Sequence, residues 1–79
     1  MPKTLRTSRH EALRVYLIES RKRADLTQQD VAKKLDQYQS FVARVESGQR
    51  RVDVVEFLDF AEAIGFDPVA ALRKLLKVR

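Results

Sequence analysis

Few residues in this chain could do covalent chemistry. It has no cysteine, a single histidine (His10) and two glycines among 79 residues, so disulfides and thiolate metal sites are excluded. One histidine does not make a zinc site, and a surface imidazole is the expectation for His10. No histidine is paired with a carboxylate, no glycine loop could cradle a phosphate, and no nucleophile motif is present. An enzyme is therefore not expected, and no cofactor or metal is implied. What the chain does carry is cationic and hydrogen-bonding side chains. Sixteen Lys and Arg against eleven Asp and Glu leave a net charge of +5, which suits a polyanionic partner.

The placement of that charge is more informative than its sum. Residues 1 to 23 hold seven basic and two acidic side chains, Arg50 and Arg51 add two more cations, and residues 68 to 79 add four. Residues 52 to 67 hold no basic side chain and five acidic ones: Asp53, Glu56, Asp59, Glu62 and Asp67. Solvation of helix faces explains any one of these charges as well as a partner does. Their segregation predicts that the segment after Arg51 faces away from phosphate.

The elements that would position such side chains are clearest between Thr27 and Arg50. Thr27 is a good N-cap with Asp30 three residues on, an imperfect capping box because Glu or Gln is usual there. Val31, Ala32 and Leu35 share one apolar helix face while Lys33 and Lys34 face water, which predicts a helix from about Gln28 to Leu35. Asp36-Gln37-Tyr38 interrupts the period. Phe41, Val42 and Val45 restart it on a second helix that ends at Ser47-Gly48, with Gly48 suited to a left-handed C-terminal position. Ala32 is small where the two helices cross. Two short amphipathic helices around such a joint make a helix-turn-helix, a layout that points to DNA.

The rest reads as helix. Residues 1 to 8 are expected to form a loose basic arm, and residues 9 to 79 a single domain. A first helix is predicted from about Ser8 or Arg9 to Ala24, with Ser8 as N-cap and Glu11 completing its capping box. Leu13, Leu17 and Ser20 or Ala24 lie on its inner stripe, joined by Tyr16 or Ile18, and Asp25 ends it in a left-handed conformation. Asp53 caps a fourth helix with Val54, Phe57, Leu58, Ala61 and Ile64 as its stripe, closed by Gly65. Asp67-Pro68 starts a fifth, with Val69, Leu72, Leu75 and Leu76 as its apolar face. Five helices without a strand pattern or repeat make an all-α domain. No apolar run approaches the ~18 residues of a membrane span, and the basic N-terminus lacks the apolar stretch of a signal peptide, so a soluble, cytoplasmic chain is expected.

Leu26 to Val52 resembles the Cro/C1-type (XRE) helix-turn-helix domain of phage repressors and bacterial regulators, whose general pattern is LTQxxLAxxLGVSQSxISRIExGxRxP. The match runs through Leu26-Thr27-Gln28, Val31-Ala32, Leu35, Gln39-Ser40, Val42, Arg44-Val45-Glu46, Gly48 and Arg50, and continues weakly from about residue 10 to 70. Asp36 stands where the family has its turn glycine, Gln37 where it has a buried valine, and Tyr38 where it has a serine-like cap. Ala43 replaces a frequent serine and Val52 the usual proline. Asp36 must then take a positive φ at greater cost than Gly, which leaves the start of the recognition helix open.

The resemblance implies a compact five-helix, phage-repressor-like DNA-binding domain, with a recognition helix at about 39 to 47 in the major groove. Gln39 matches the glutamine that reads adenine, whose N6 and N7 pair with a carboxamide. Gln28 matches the one that contacts phosphate and braces its partner, at a helix N-terminus that also attracts phosphate. Ser40 and Arg44 are further candidates for base or backbone contact, and Ser47, Gln49, Arg50 and Arg51 for gripping the backbone. Arg21 and Glu46 match a buried salt bridge between helices one and three. Without the resemblance, Gln28 and Gln39 read as ordinary surface amides. Phe41 is open between a thymine-methyl contact and packing, with packing favoured. Lys3, Arg6 and Arg9 are open between phosphate contact and disorder.

The function implied is that of a sequence-specific double-stranded DNA-binding transcriptional regulator. The resemblance also implies a homodimer on an inverted repeat, built by helix five and the end of helix four, and Leu72, Leu75, Leu76 and Val78 supply more apolar surface than a small core buries. Covering the core of a monomer is the other use for those residues. An antitoxin or co-regulator that holds a protein partner is the alternative class. The basic tail from Leu72 to Lys77 is too short to anchor on a membrane surface.

Overall fold

Helix α1 (Ser8–Arg23) starts where the Thr7 hydroxyl accepts from the His10 N–H at 3.1 Å, in a computed structural model that describes residues 7–79. The cap is thus Thr7 and not Ser8: Thr7 has the extended backbone an N-cap needs, and Ser8 is already helical. Lys3 and Arg6 of the expected arm lie outside the described residues. Arg9 belongs to α1, and its guanidinium donates to the Val78 carbonyl (3.1 and 2.9 Å) and to that of Leu76 (3.4 Å), tying α1 to the last turn of α5. A cation there also meets the negative end of the α5 dipole.

The inner stripe of α1 is Leu17 and Ser20, with Leu13 half-buried, as expected; Ala24 is exposed. His10 joins the buried side, against the expectation of a surface imidazole. It lies seven residues before Leu17, two turns along the same face, so the helical period that buries Leu17 buries His10 too. Asp25 ends the helix at φ 62, and the Leu26 N–H reaches back to the Arg21 carbonyl.

Helix α2 (Gln28–Leu35) opens on a complete capping box. The Asp30 N–H donates to Thr27 Oγ1 at 3.0 Å, and the Thr27 N–H to Asp30 Oδ2 at 2.9 Å. The bond from the Thr27 backbone lowers the Asp30 pKa. At the other end Asp36 takes the left-handed conformation (φ 58, ψ 46), and the Gln37 N–H closes on the Ala32 carbonyl at 2.9 Å. The unusual joint is therefore a regular left-handed cap. Helix α3 (Gln39–Ser47) begins at Gln39 after an extended Tyr38 that offers no side-chain cap.

Gly48, at φ 86, ends α3. Helix α4 (Val54–Ile64) opens on a second capping box between Asp53 and Glu56 and ends at Gly65 (φ 96). It buries Phe57, Phe60, Ala61 and Ile64 and leaves Val54 and Leu58 exposed, so the expected stripe shifts toward Phe60. The 57-60-61-64 spacing centres the contact face on Phe60, which stacks on Phe41 at 6.1 Å between centroids. The core gathers Leu17, Val31, Ala32, Phe41, Val42, Val45, Phe60 and Ile64 from α1 to α4.

Helix α5 (Pro68–Leu76) is capped by Asp67, whose Oδ1 accepts from the Val69 N–H at 2.9 Å. Its inward edge is Ala71, fully buried, with Leu75 half-buried one turn later and Val78 beyond it. Leu72 and Leu76, expected at an interface, are 48% and 68% exposed, with Val69 at 55%, whereas Leu75 and Val78, expected there too, turn inward. The small Ala71 lets α5 approach its neighbours closely, and that choice of edge turns the larger side chains outward. Among the described residues there is no strand, and no helix is long and apolar enough to cross a membrane.

Candidate nucleic-acid interface

The site is built on a buried ion pair. Arg21 of α1 donates from Nε to Glu46 Oε2 at 2.6 Å and from Nη2 to Oε1 at 3.0 Å, with the two side chains 11% and 6% exposed. The remaining guanidinium nitrogen of Arg21 donates to the Leu26 carbonyl at 2.8 Å, just before α2 begins. Arg14 donates to the backbone carbonyl of Glu46 at 2.8 Å and to the Glu11 carboxylate at 3.1 and 2.8 Å. Two arginines of α1 therefore hold the end of α3. Such a pair costs desolvation and is tolerable only because its hydrogen bonds are so fully made.

From this anchor the contacts lead outward. Gln28, the first residue of α2, donates from Nε2 to Glu46 Oε1 at 2.9 Å, and its own Oε1 accepts from Gln39 Nε2 at 2.8 Å. Gln39 is the first residue of α3, so one carboxamide bond joins the N-termini of the two helices of the motif. Ser40 and Arg44 are exposed on α3, one turn apart. The Ser47 hydroxyl donates to the Arg44 carbonyl at 3.1 Å, and Gln49 and Arg51 are exposed just beyond the helix.

Arg50 is placed differently from its neighbours. Its guanidinium forms a double hydrogen bond with Glu56 (3.1 and 2.9 Å), donates to the Arg51 carbonyl at 2.8 Å, and lies 4.6 Å from the centroid of the Phe41 ring. The Arg50 bond holds the Glu56 carboxyl below its ordinary value, assisted by the Asp53 backbone N–H, and Glu56 in return raises Arg50. Phe41 is thus a packing residue, between Phe60 and Arg50.

Sequence reasoning named Gln28, Gln39, Arg21 and Glu46 but not the bond that joins the two pairs. It also missed Arg14 and Glu56. The Asp53 to Glu56 spacing of a capping box could have flagged Glu56; nothing local could have flagged Arg14, whose partner carbonyl is 32 residues away.

The assembled elements can be compared with known proteins. A family described as a helix-turn-helix domain matches residues 4–75. An XRE-family-like protein from Pseudomonas syringae pv. tomato is 48% identical, with a TM-score of 0.81 over 85% of this chain and 82% of that one. The restriction-modification controller protein C.AhdI from Aeromonas hydrophila is 32% identical, with a TM-score of 0.66 over 78% and 91% of the two chains. The restriction-modification controller protein C.Esp1396I, solved as a tetramer with its natural 35 base-pair operator, has a TM-score of 0.80 over 91% and 95% of the two chains. At 15% identity that likeness is one of fold. Comparison with curated proteins returns no match.

Proposed function

The chain belongs to the XRE-type helix-turn-helix family, and from that premise we propose that it is a transcriptional regulator that binds double-stranded DNA sequence-specifically. The observation that carries this reading is the 2.8 Å bond from Gln39 to Gln28. It holds a carboxamide at the N-terminus of an exposed helix face, where the amide can pair with a base edge in the major groove. Ser40 and Arg44 share the face, and Ser47, Gln49 and Arg51 follow it as backbone contacts. Arg50, engaged with Glu56, serves this interface by holding the segment after α3 in place. Arg51, with Lys22 and Arg23 exposed at the end of α1, adds the charge on which salt-dependent affinity depends.

The regulator acts as a homodimer in this reading, joined through the outward side chains of α5, Val69, Leu72 and Leu76, with Leu58 of α4. C.Esp1396I, bound to its operator as a tetramer, supports an oligomer as the DNA-binding form. Two-fold symmetry would set the recognition helices about one DNA turn apart, ~34 Å, on an inverted repeat. A cytoplasmic location goes with this role. The test is selection of bound fragments from random DNA by the wild type and by Gln39→Ala. The variant is expected to lose preference at one base position of each half-site, worth about 1–3 kcal/mol, with unchanged thermal unfolding. Identical selected sequences would rule out Gln39 as the reading residue.

A further inference from the structure

Glu46 stands at the root of a hydrogen-bond chain whose direction chemistry dictates. An ionised carboxylate can only accept. Glu46 Oε2 accepts from Arg21 Nε at 2.6 Å, and Oε1 accepts from Arg21 Nη2 at 3.0 Å and from Gln28 Nε2 at 2.9 Å. Gln28 must therefore turn its nitrogen inward, which leaves its Oε1 to accept from Gln39 Nε2 at 2.8 Å. An isolated carboxamide exchanges donor and acceptor on a half-turn with almost no change of shape. Here a half-turn of Gln28 would set its oxygen against the Glu46 carboxylate. A half-turn of Gln39 would set its oxygen against that of Gln28.

We infer that Glu46 is a specificity-determining positioning residue, which through Gln28 locks the Gln39 carboxamide in the orientation that reads adenine and rejects guanine. The inference rests on the proposal that Gln39 reads a base. One N–H of Gln39 is engaged by Gln28, so Oε1 and a single N–H remain for DNA. Adenine presents the N6 donor and the N7 acceptor, complementary to that pair, whereas guanine presents two acceptors, O6 and N7. Against guanine the outward Oε1 meets another acceptor. Glu46 itself is buried and touches no base; Arg21 seats its carboxylate, and the order of donors and acceptors passes outward through two side chains.

Full-length wild type, Glu46→Gln and Gln28→Met are compared in competition between duplexes that differ only by adenine or guanine at one position. That position is located first, as the one at which Gln39→Ala loses preference. Wild type is expected to prefer adenine by on the order of tenfold or more. In Glu46→Gln the new amide can donate to Gln28, Gln28 and Gln39 are free to turn, and the adenine-to-guanine ratio is expected to fall toward one. The slope of log affinity against log salt, set by phosphate contacts, is expected to hold. Gln28→Met leaves the Arg21–Glu46 pair in place and cuts the chain at its middle, so the same fall in ratio is expected even where Glu46→Gln does not fold. A folded variant of either kind that keeps the wild-type ratio overturns the inference. A wild type whose base preference is indifferent to Gln39→Ala overturns the reading of Gln39 itself, and this inference with it.

Discussion

Arg21 and Glu46, 25 residues apart in sequence, meet through two hydrogen bonds of 2.6 and 3.0 Å that join α1 to the end of α3 beneath its exposed face. Both side chains are almost wholly buried, so neither charge can turn to water if its partner is lost. The pair fastens the scaffold and, through Gln28, the surface that the scaffold presents.

Removing one partner is therefore expected to be costly. Arg21→Met should destabilise the domain by about 3–5 kcal/mol, because it strands a buried carboxylate. Replacing both residues by apolar ones of similar volume should recover most of that loss. Urea unfolding of the single and double variants measures both effects; a single variant within about 1 kcal/mol of wild type would show that water reaches the pair.

The joint between α2 and α3 predicts a stabilising change. Asp36 holds φ 58 at the C-terminal end of α2, where its negative charge meets the negative end of the helix dipole. Asn tolerates the left-handed region as well as Asp does and carries no charge. Asp36→Asn is thus expected to raise stability by about 0.3–1 kcal/mol, read as a higher urea midpoint at an unchanged slope. A lower midpoint would mean that the carboxylate has a favourable role at this cap.

Acid should weaken the link between α3 and α4. Arg50 and the Asp53 backbone N–H hold the Glu56 carboxyl below its ordinary value of 4.5. A carboxyl depressed in the folded state contributes stability above its unfolded pKa and loses it as pH falls through the folded value. The melting temperature of wild type minus that of Glu56→Gln is expected to be positive near neutrality and to shrink below about pH 4.5. Gln can still accept from Asp53 but does not titrate. The pair is partly exposed, so its contribution near neutrality is about 1 kcal/mol or less. A difference independent of pH would remove the ion pair from the stability of the fold.

The dimer reading is exposed at Leu72. Sedimentation of wild type at micromolar concentration is expected to give twice the chain mass, and Leu72→Glu the mass of one chain with unchanged far-ultraviolet circular dichroism. Leu72 is half-exposed in the single chain, so the substitution leaves the core intact. A wild type that stays monomeric at every concentration would dismiss the dimer. A protein partner bound in fixed ratio at the same face would instead favour the antitoxin or co-regulator class.

Much of the fold was legible because helix ends are local chemistry. Thr27 with Asp30, Asp53, and Asp67 with Pro68 act within one turn of chain, and each caps a helix as its type requires. Gly48 and Gly65 end helices by the same local logic, through a positive φ that glycine takes without strain. Even Asp36, an unusual residue for its place, adopts the left-handed conformation that the joint demands.

What stayed hidden depends on partners brought from elsewhere. The periodicity of α5 marked Val69, Leu72, Leu75 and Leu76 alike; only the approach of α5 to its neighbours chose Ala71 and Leu75 as the inward edge. Arg50 reads as a cation for phosphate and Arg9 as open between phosphate contact and disorder; in the fold Arg9 meets the carbonyls ending α5 and Arg50 meets Glu56. By itself the sequence determined five helices and the caps of α2, α4 and α5, since spacing and side-chain type suffice for each, while the pairing of Gln28 with Gln39 came only from the resemblance. The tertiary structure alone decided which way those carboxamides point. Their donors and acceptors are ordered by a carboxylate at the far end of α3, held there by an arginine from α1.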